Sequence, residues 1–299
     1  MNFADSAPGF PDGDPKPAGT PDDIVAHGKK LYHELSPETA EFIDFMLDNE
    51  LMDLLSRKGK SGGGFCTAFF DYKSPFIFAN FNGTAHDVDV LTHEAGHAFA
   101  AYMGRNIFPI SNFIPSKESC EIHSMSMEFF AWPWAEGFFG KDTEKFRYSH
   151  LMGALTFIPY GTMVDHFQHI IYAKPELTPA ERNEEWRKLL AVYMPWLKLG
   201  EVPFFGEGRG WQRQAHIYEL PFYYIDYCLA QTVALQFWAK IQSNRGDAWQ
   251  RYLKLVNLAG TKTFTGLVAA ADLDTPFGGD AVREISEMAT KWLDENGLD

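Results

Sequence analysis

The sequence predicts a mainly α-helical protein with one small β-hairpin, and three observations carry that reading. Apolar residues recur at helical spacing over most of the 299 residues. Ser36-Pro37 and Thr178-Pro179 each supply an N-cap followed by a proline at the first helical position. Only residues 65–72 and 75–80 are short, aromatic and β-prone, with a turn at 71–74 between them.

Taken in order, residues 1–20 are rich in proline and glycine and read as an extended lead-in. A single helical domain is expected from 21 to 299. Its first helix covers about 22–35. The second starts at the Ser36 cap, with Phe42, Phe45, Met46, Leu51 and Leu54 as its apolar stripe. Lys60-Ser61-Gly62-Gly63-Gly64 breaks that pattern and leads into the hairpin. Residues 87–103 carry Val88, Leu91, Ala95, Ala98, Phe99 and Tyr102 at helical spacing, with Gly104 as the stop. A further helix is expected over 116–130 and a long one over 142–172, kinked at Pro159. Thr178-Pro179-Ala180-Glu181 is a capping box for a helix reaching 192. Another helix spans about 211–241, and two or three closing helices fill 247–293. The glycines at 206–210 lack a preceding strand, so they read as a mobile loop and not as a dinucleotide site.

Bulk properties narrow the function. A net charge of -14 argues against nucleic acid and against an anionic membrane surface. Cys66, Cys120 and Cys228 are odd in number and far apart, which fits reduced thiols in a cytoplasmic protein. Residues 1–19 lack the apolar core of a signal peptide, and no apolar run is long enough to span a membrane.

The chemistry concentrates in His93-Glu94-Ala95-Gly96-His97, an H-E-x-x-H motif on the helix of residues 87–103. One turn separates the two histidines, so both imidazoles face one point. Glu94 lies beside them as a candidate general base. A surface pair of histidines has the same spacing, so a zinc reading requires a third ligand. No histidine follows at short range. Glu118, Glu121, Met125 and Glu128 instead share a face of the next helix, flanked by Ile122 and Phe129, where acidic groups are costly unless paired or bound to metal. Glu121 is the expected third ligand of one Zn2+. Glu128, two turns on, is placed to orient a ligand imidazole, with a solvated face as the alternative for Glu118 and Glu128. Asp165, His166 and His169 read as a polar helix face and not as a second metal cluster.

Residues 216–227 crowd His216, Tyr218, Tyr223, Tyr224 and Tyr227 together. Tyr224 and Tyr227 lie three apart. Phenols and an imidazole suit donation to an oxyanion, and an aromatic core is the alternative. The hairpin has two readings of the same kind: an edge that takes an extended peptide, or a packing element.

The motif, the Glu121 helix and the 216–227 stretch together resemble the thimet oligopeptidase/oligoendopeptidase F family of zinc metallopeptidases, over nearly the whole chain from Leu31 onward. The resemblance implies a zincin-like fold of gluzincin type, with His93, His97 and Glu121 as zinc ligands and Glu94 as base. It implies His216, Tyr224 and Tyr227 as substrate and transition-state contacts, with Tyr223 competing with Tyr224. It implies short peptide substrates and an oligoendopeptidase activity. Family members are longer, so the chain is expected to match the catalytic half alone, with the N-terminal half absent. The alternative is a zinc-binding subunit that is inactive, or that acts only with a separate N-terminal half or in a homo-oligomer.

Overall fold

The structure, a computed structural model, describes residues 9–297; the expected lead-in therefore falls partly outside it, and residues 9–20 carry no helix or strand. The chain divides into two compact units. One comprises Pro15–His150 and Ala230–Asp299, the other Leu151–Leu229 with the described residues up to Asp14.

In the first unit, helices α1 (Pro21–Leu35) and α2 (Pro37–Asp48) pack as a pair. Both start on the same device. The Thr20 and Ser36 hydroxyls accept from the backbone N–H of the third helical residue, and a proline fills the first position. The helix ends at Asp48, earlier than its apolar stripe suggested. Leu51 precedes, and Leu54 sits in, a short strand β1 (Met52–Leu55), after Glu50 turns the chain at φ 52°. The expected hairpin is present as β2 (Phe65–Phe69) and β3 (Ser74–Phe81), joined by a 3-10 turn at Phe70–Tyr72. The sheet has three strands in the order β1-β3-β2, with β1 parallel and β2 antiparallel to β3. β2 is an edge strand. Lys60, its side chain only 1% exposed, pins the other edge by donating to the carbonyls of Asp53, Leu55 and Ala79 and to the Asp53 carboxylate.

The sheet delivers the chain to α3 (His86–Gly104). Asp87 is buried and accepts from the backbone N–H of Asn82 (2.9 Å) and Gly83 (2.7 Å), which fixes the entry angle of that helix. α3 packs against β2 and β3 and against α4 (Lys117–Phe130). Behind them lies an aromatic core. Phe99 meets Phe42 edge-on at 5.5 Å and stacks on Tyr252 at 6.5 Å. The Tyr252 hydroxyl donates to the His123 carbonyl of α4 at 2.8 Å. After α5 (Ala135–Phe139), the unit takes in the start of α6 (Thr143–Ala173), the later part of α9 (Tyr224–Leu258), α10 (Phe264–Ala270) and α11 (Gly279–Glu295). α9 is interrupted by extended backbone at Asn244.

The second unit holds the rest of α6, which runs on past Pro159, with α7 (Pro179–Tyr193), α8 (His216–Glu219) and the start of α9. Met163, Val164, Phe167, Trp186, Leu189 and Trp211 form its core. The glycines at 206–210 lie in closely packed turns. A methyl on Gly208 would stand 2.2 Å from the Asn183 carbonyl oxygen, so close approach accounts for that glycine. The helix expected over 211–241 is broken. A 3-10 turn at Arg209–Arg213, the short α8, and a loop with Phe222 at φ 63° precede α9.

Candidate active site

Two helices of the first unit bring the acidic and imidazole groups together. α3 presents His93 and His97 with ring centroids 5.0 Å apart and planes at 80°. α4 presents Glu121 opposite them, its Oε2 lying 3.3 Å from the Nε2 of each histidine. The three ligand atoms all fall within 4.8 Å of one another, and among the described residues this is the metal-competent group found. Glu121 is buried, and its Oε2 also accepts from the Ser124 hydroxyl at 3.1 Å. Burial opposes its charge, yet His93 and His97 outweigh that and hold its carboxyl well below the ordinary range.

Such an approach requires the helices nearly to touch. They cross at Gly96, where a methyl would lie 2.6 Å from Ser124 Cα and 2.7 Å from the His123 carbonyl oxygen. Gly96, just before His97, is thus small because α4 occupies the space.

Glu94 lies buried beside the pair. Its Oε2 has no hydrogen-bond partner among the described residues, and burial raises its pKa. A carboxylate oxygen left bare in the interior suits a group that takes up a proton.

Glu128 Oε1 accepts from His93 Nδ1 at 2.6 Å, so it touches the imidazole on the side away from Glu121. Its other oxygen meets His150 Nε2 of α6, also at 2.6 Å. Burial would raise its pKa, but His150 and His93 lower it to about 2. Glu118 is half-buried and stands outside this group.

The second unit gathers the aromatic residues. His216 on α8 accepts from the Gln214 amide at Nδ1, 2.8 Å. Its ring meets Tyr224 at 5.0 Å and Tyr227 edge-on at 5.8 Å. The Tyr224 and Tyr227 rings are 5.6 Å apart in the first turn of α9, and Tyr223, just before that turn, lies 4.9 Å from Tyr227. Tyr224 is buried, which raises its pKa, whereas Tyr223 and Tyr227 are half-buried. On α6, His169 faces Asp165 at 3.3 Å, and His166 bonds the Tyr193 hydroxyl at 3.1 Å.

The sequence pattern of peptidase family M3 matches residues 32–286. The chain belongs to that family. Among M3 relatives, an oligoendopeptidase F homolog of Borreliella burgdorferi is 28% identical over 228 residues, which is 73% of this chain and 37% of the relative. A solved oligoendopeptidase F structure superposes with a TM-score of 0.95 at 50% identity, over 100% of this chain and 53% of its own. A second, from Bacillus anthracis, gives 0.88 at 47% identity over 100% of this chain and 51% of its own. The chain therefore spans about half the length of these solved relatives. The oligoendopeptidase F likeness and the mainly helical fold with a small sheet agree with the sequence reading. No helix among the described residues is long and apolar enough to cross a membrane.

Within this M3 unit, sequence reasoning missed His150 and Trp132. The Trp132 indole N–H donates to His150 Nδ1 at 3.0 Å, behind Glu128. Neither residue carries a local motif, and no spacing rule points to them.

Proposed function

We propose that the chain is a zinc-dependent endopeptidase of the oligoendopeptidase F type that hydrolyses short peptides. The observation that carries the reading is the convergence of His93, His97 and Glu121 beside the bare carboxylate oxygen of Glu94. Two imidazoles and one carboxylate make a three-ligand set that suits zinc with one position left for water or substrate. When bound there, zinc supplies Lewis acidity that polarises a carbonyl and makes a water more acidic.

The remaining steps belong to the chain's own residues. Glu94 takes a proton from the attacking water as the C–O bond forms. It then passes that proton to the amine nitrogen as the C–N bond breaks. Glu128 accepts from His93 Nδ1, which leaves the Nε2 lone pair facing the other two ligand atoms. β2 is an edge strand and offers its open backbone to an extended peptide. For His216, Tyr224 and Tyr227 the proposal rests on the family resemblance: they donate hydrogen bonds to the oxyanion. The odd number and wide spacing of Cys66, Cys120 and Cys228 are what a reducing, cytoplasmic setting would suit.

The test is hydrolysis of a short, internally quenched peptide by the zinc-loaded chain. Cleavage that a chelator abolishes and added zinc restores is the expected result. A loaded chain that cleaves nothing would overturn the reading for this chain acting alone.

A further inference from the structure

We infer that His150, aligned by Trp132, is a positioning residue that holds Glu128 and, through it, His93 for metal binding. The inference rests on the zinc reading above but concerns residues outside the motif. An indole N–H can only donate. Its partner at 3.0 Å, His150 Nδ1, must therefore present a lone pair. A neutral imidazole with a bare Nδ1 carries its hydrogen on Nε2, and that N–H points at Glu128 Oε2, 2.6 Å away. The Glu128 carboxylate then has one oxygen committed to His150. Its other oxygen receives the Nδ1–H of His93 at 2.6 Å. With its hydrogen on Nδ1, His93 turns a lone pair on Nε2 towards Glu121 and His97. Trp132 donates to His150 and His150 to Glu128, while His93 donates to Glu128 from the other side, so the three hydrogen bonds converge on the Glu128 carboxylate.

Packing keeps this direction from reversing. The His150 ring stacks on Phe146 at 5.6 Å and meets Phe129 at 4.8 Å and Trp132 at 5.8 Å. Its side chain is 11% exposed, and Trp132 is 5% exposed. A ring flip would aim a carbon at Glu128 and leave a buried carboxylate oxygen without its donor.

The experiment compares zinc binding by the wild-type chain, His150→Phe and His150→Gln. Competition with a chromophoric chelator gives the dissociation constant, and the cobalt-substituted chain gives an absorption band sensitive to ligand geometry. Phenylalanine keeps the ring and removes the donor; glutamine restores an N–H near the position of Nε2. The expected result is about tenfold weaker zinc binding and a shifted cobalt band for His150→Phe. Recovery to within about threefold is expected for His150→Gln, with KM unchanged across the series. A folded His150→Phe chain that binds zinc like the wild type overturns the inference. Equal losses in both variants also overturn it, because ring packing and not donation would then be at work. If His150→Phe does not fold, Trp132→Phe carries the test, since it leaves the imidazole and removes only the donor that sets its tautomer. Weakened zinc binding there supports the relay; wild-type binding overturns it. A wild-type chain that takes up no zinc overturns the zinc reading itself, and the relay with it.

Discussion

Gly96 and Ser124 face each other where the two site helices cross, and a methyl on Gly96 would stand 2.6 Å from Ser124 Cα. The obstructing atoms are backbone, and the His123 carbonyl beside them is already held by the Tyr252 hydroxyl. Nothing there can swing aside. Gly96→Ala is therefore expected to destabilise the chain by about 2–3 kcal/mol. It should also weaken zinc binding, because the helices must separate and carry Glu121 away from the histidines. Thermal unfolding with and without zinc checks both parts, and an alanine variant with wild-type values would mean that the crossing is looser than described.

Glu94→Gln tests the proposed base. The amide keeps the shape but cannot accept the proton, so turnover should fall by about three orders of magnitude or more. Zinc content should stay at the wild-type level, because the ligand set is His93, His97 and Glu121. Metal analysis alongside peptide hydrolysis separates the two effects. A Glu94→Gln chain with normal turnover would remove Glu94 from the mechanism.

Tyr227→Phe addresses the aromatic cluster of the other unit. If the hydroxyl donates to the developing oxyanion, kcat should fall by about a hundredfold with little change in KM. Zinc affinity should not move. A variant as active as the wild type would assign the Tyr227 ring to packing around His216 and Tyr224.

Asp89 gives a pH dependence with a definite sign. Its Oδ1 is buried with no hydrogen-bond partner among the described residues, and burial pushes its pKa up to about 7. His150 and His93 act against that shift, and Glu128 adds to it. Between its ordinary value of 3.8 and about 7, the unfolded chain has lost the proton while the folded chain keeps it. Stability from this group therefore falls as pH rises through that window and levels off above it. Asp89→Asn should flatten the fall, leaving the variant more stable than the wild type at pH 8 by on the order of 2 kcal/mol. Urea unfolding at pH 5 and pH 8, at one fixed zinc concentration, measures the difference. Identical pH slopes in the two chains would refute the assignment.

What could be read from the chain alone follows from the range of each signal. His93, His97, Glu121 and Glu128 share helical faces, and a period of 3.6 residues reveals that without any tertiary knowledge. His150 belongs to another helix, 22 residues from Glu128 in sequence, and only packing brings it near. The strand β1 was hidden because Leu51 and Leu54 continue the spacing of α2, while the reversal at Glu50 has no proline or glycine to mark it. The break before α9 had such a mark in Pro221, but the dense aromatic spacing around it read as unbroken helix. Local periodicity finds faces; it does not find chain reversals or partners from distant helices.

The gathering of Glu94, Glu121 and Glu128 around His93 and His97 also bears on how folding itself should be measured. Any cation that fits this site recognises the folded chain, in which α3 and α4 bring these groups together, and not the unfolded one, in which they are spread along the sequence. Free zinc then acts as a thermodynamic variable alongside temperature and denaturant. At a hundred times the dissociation constant it adds about 2.7 kcal/mol to the native state. A melting temperature for this chain has meaning only when the metal activity of the buffer is stated with it.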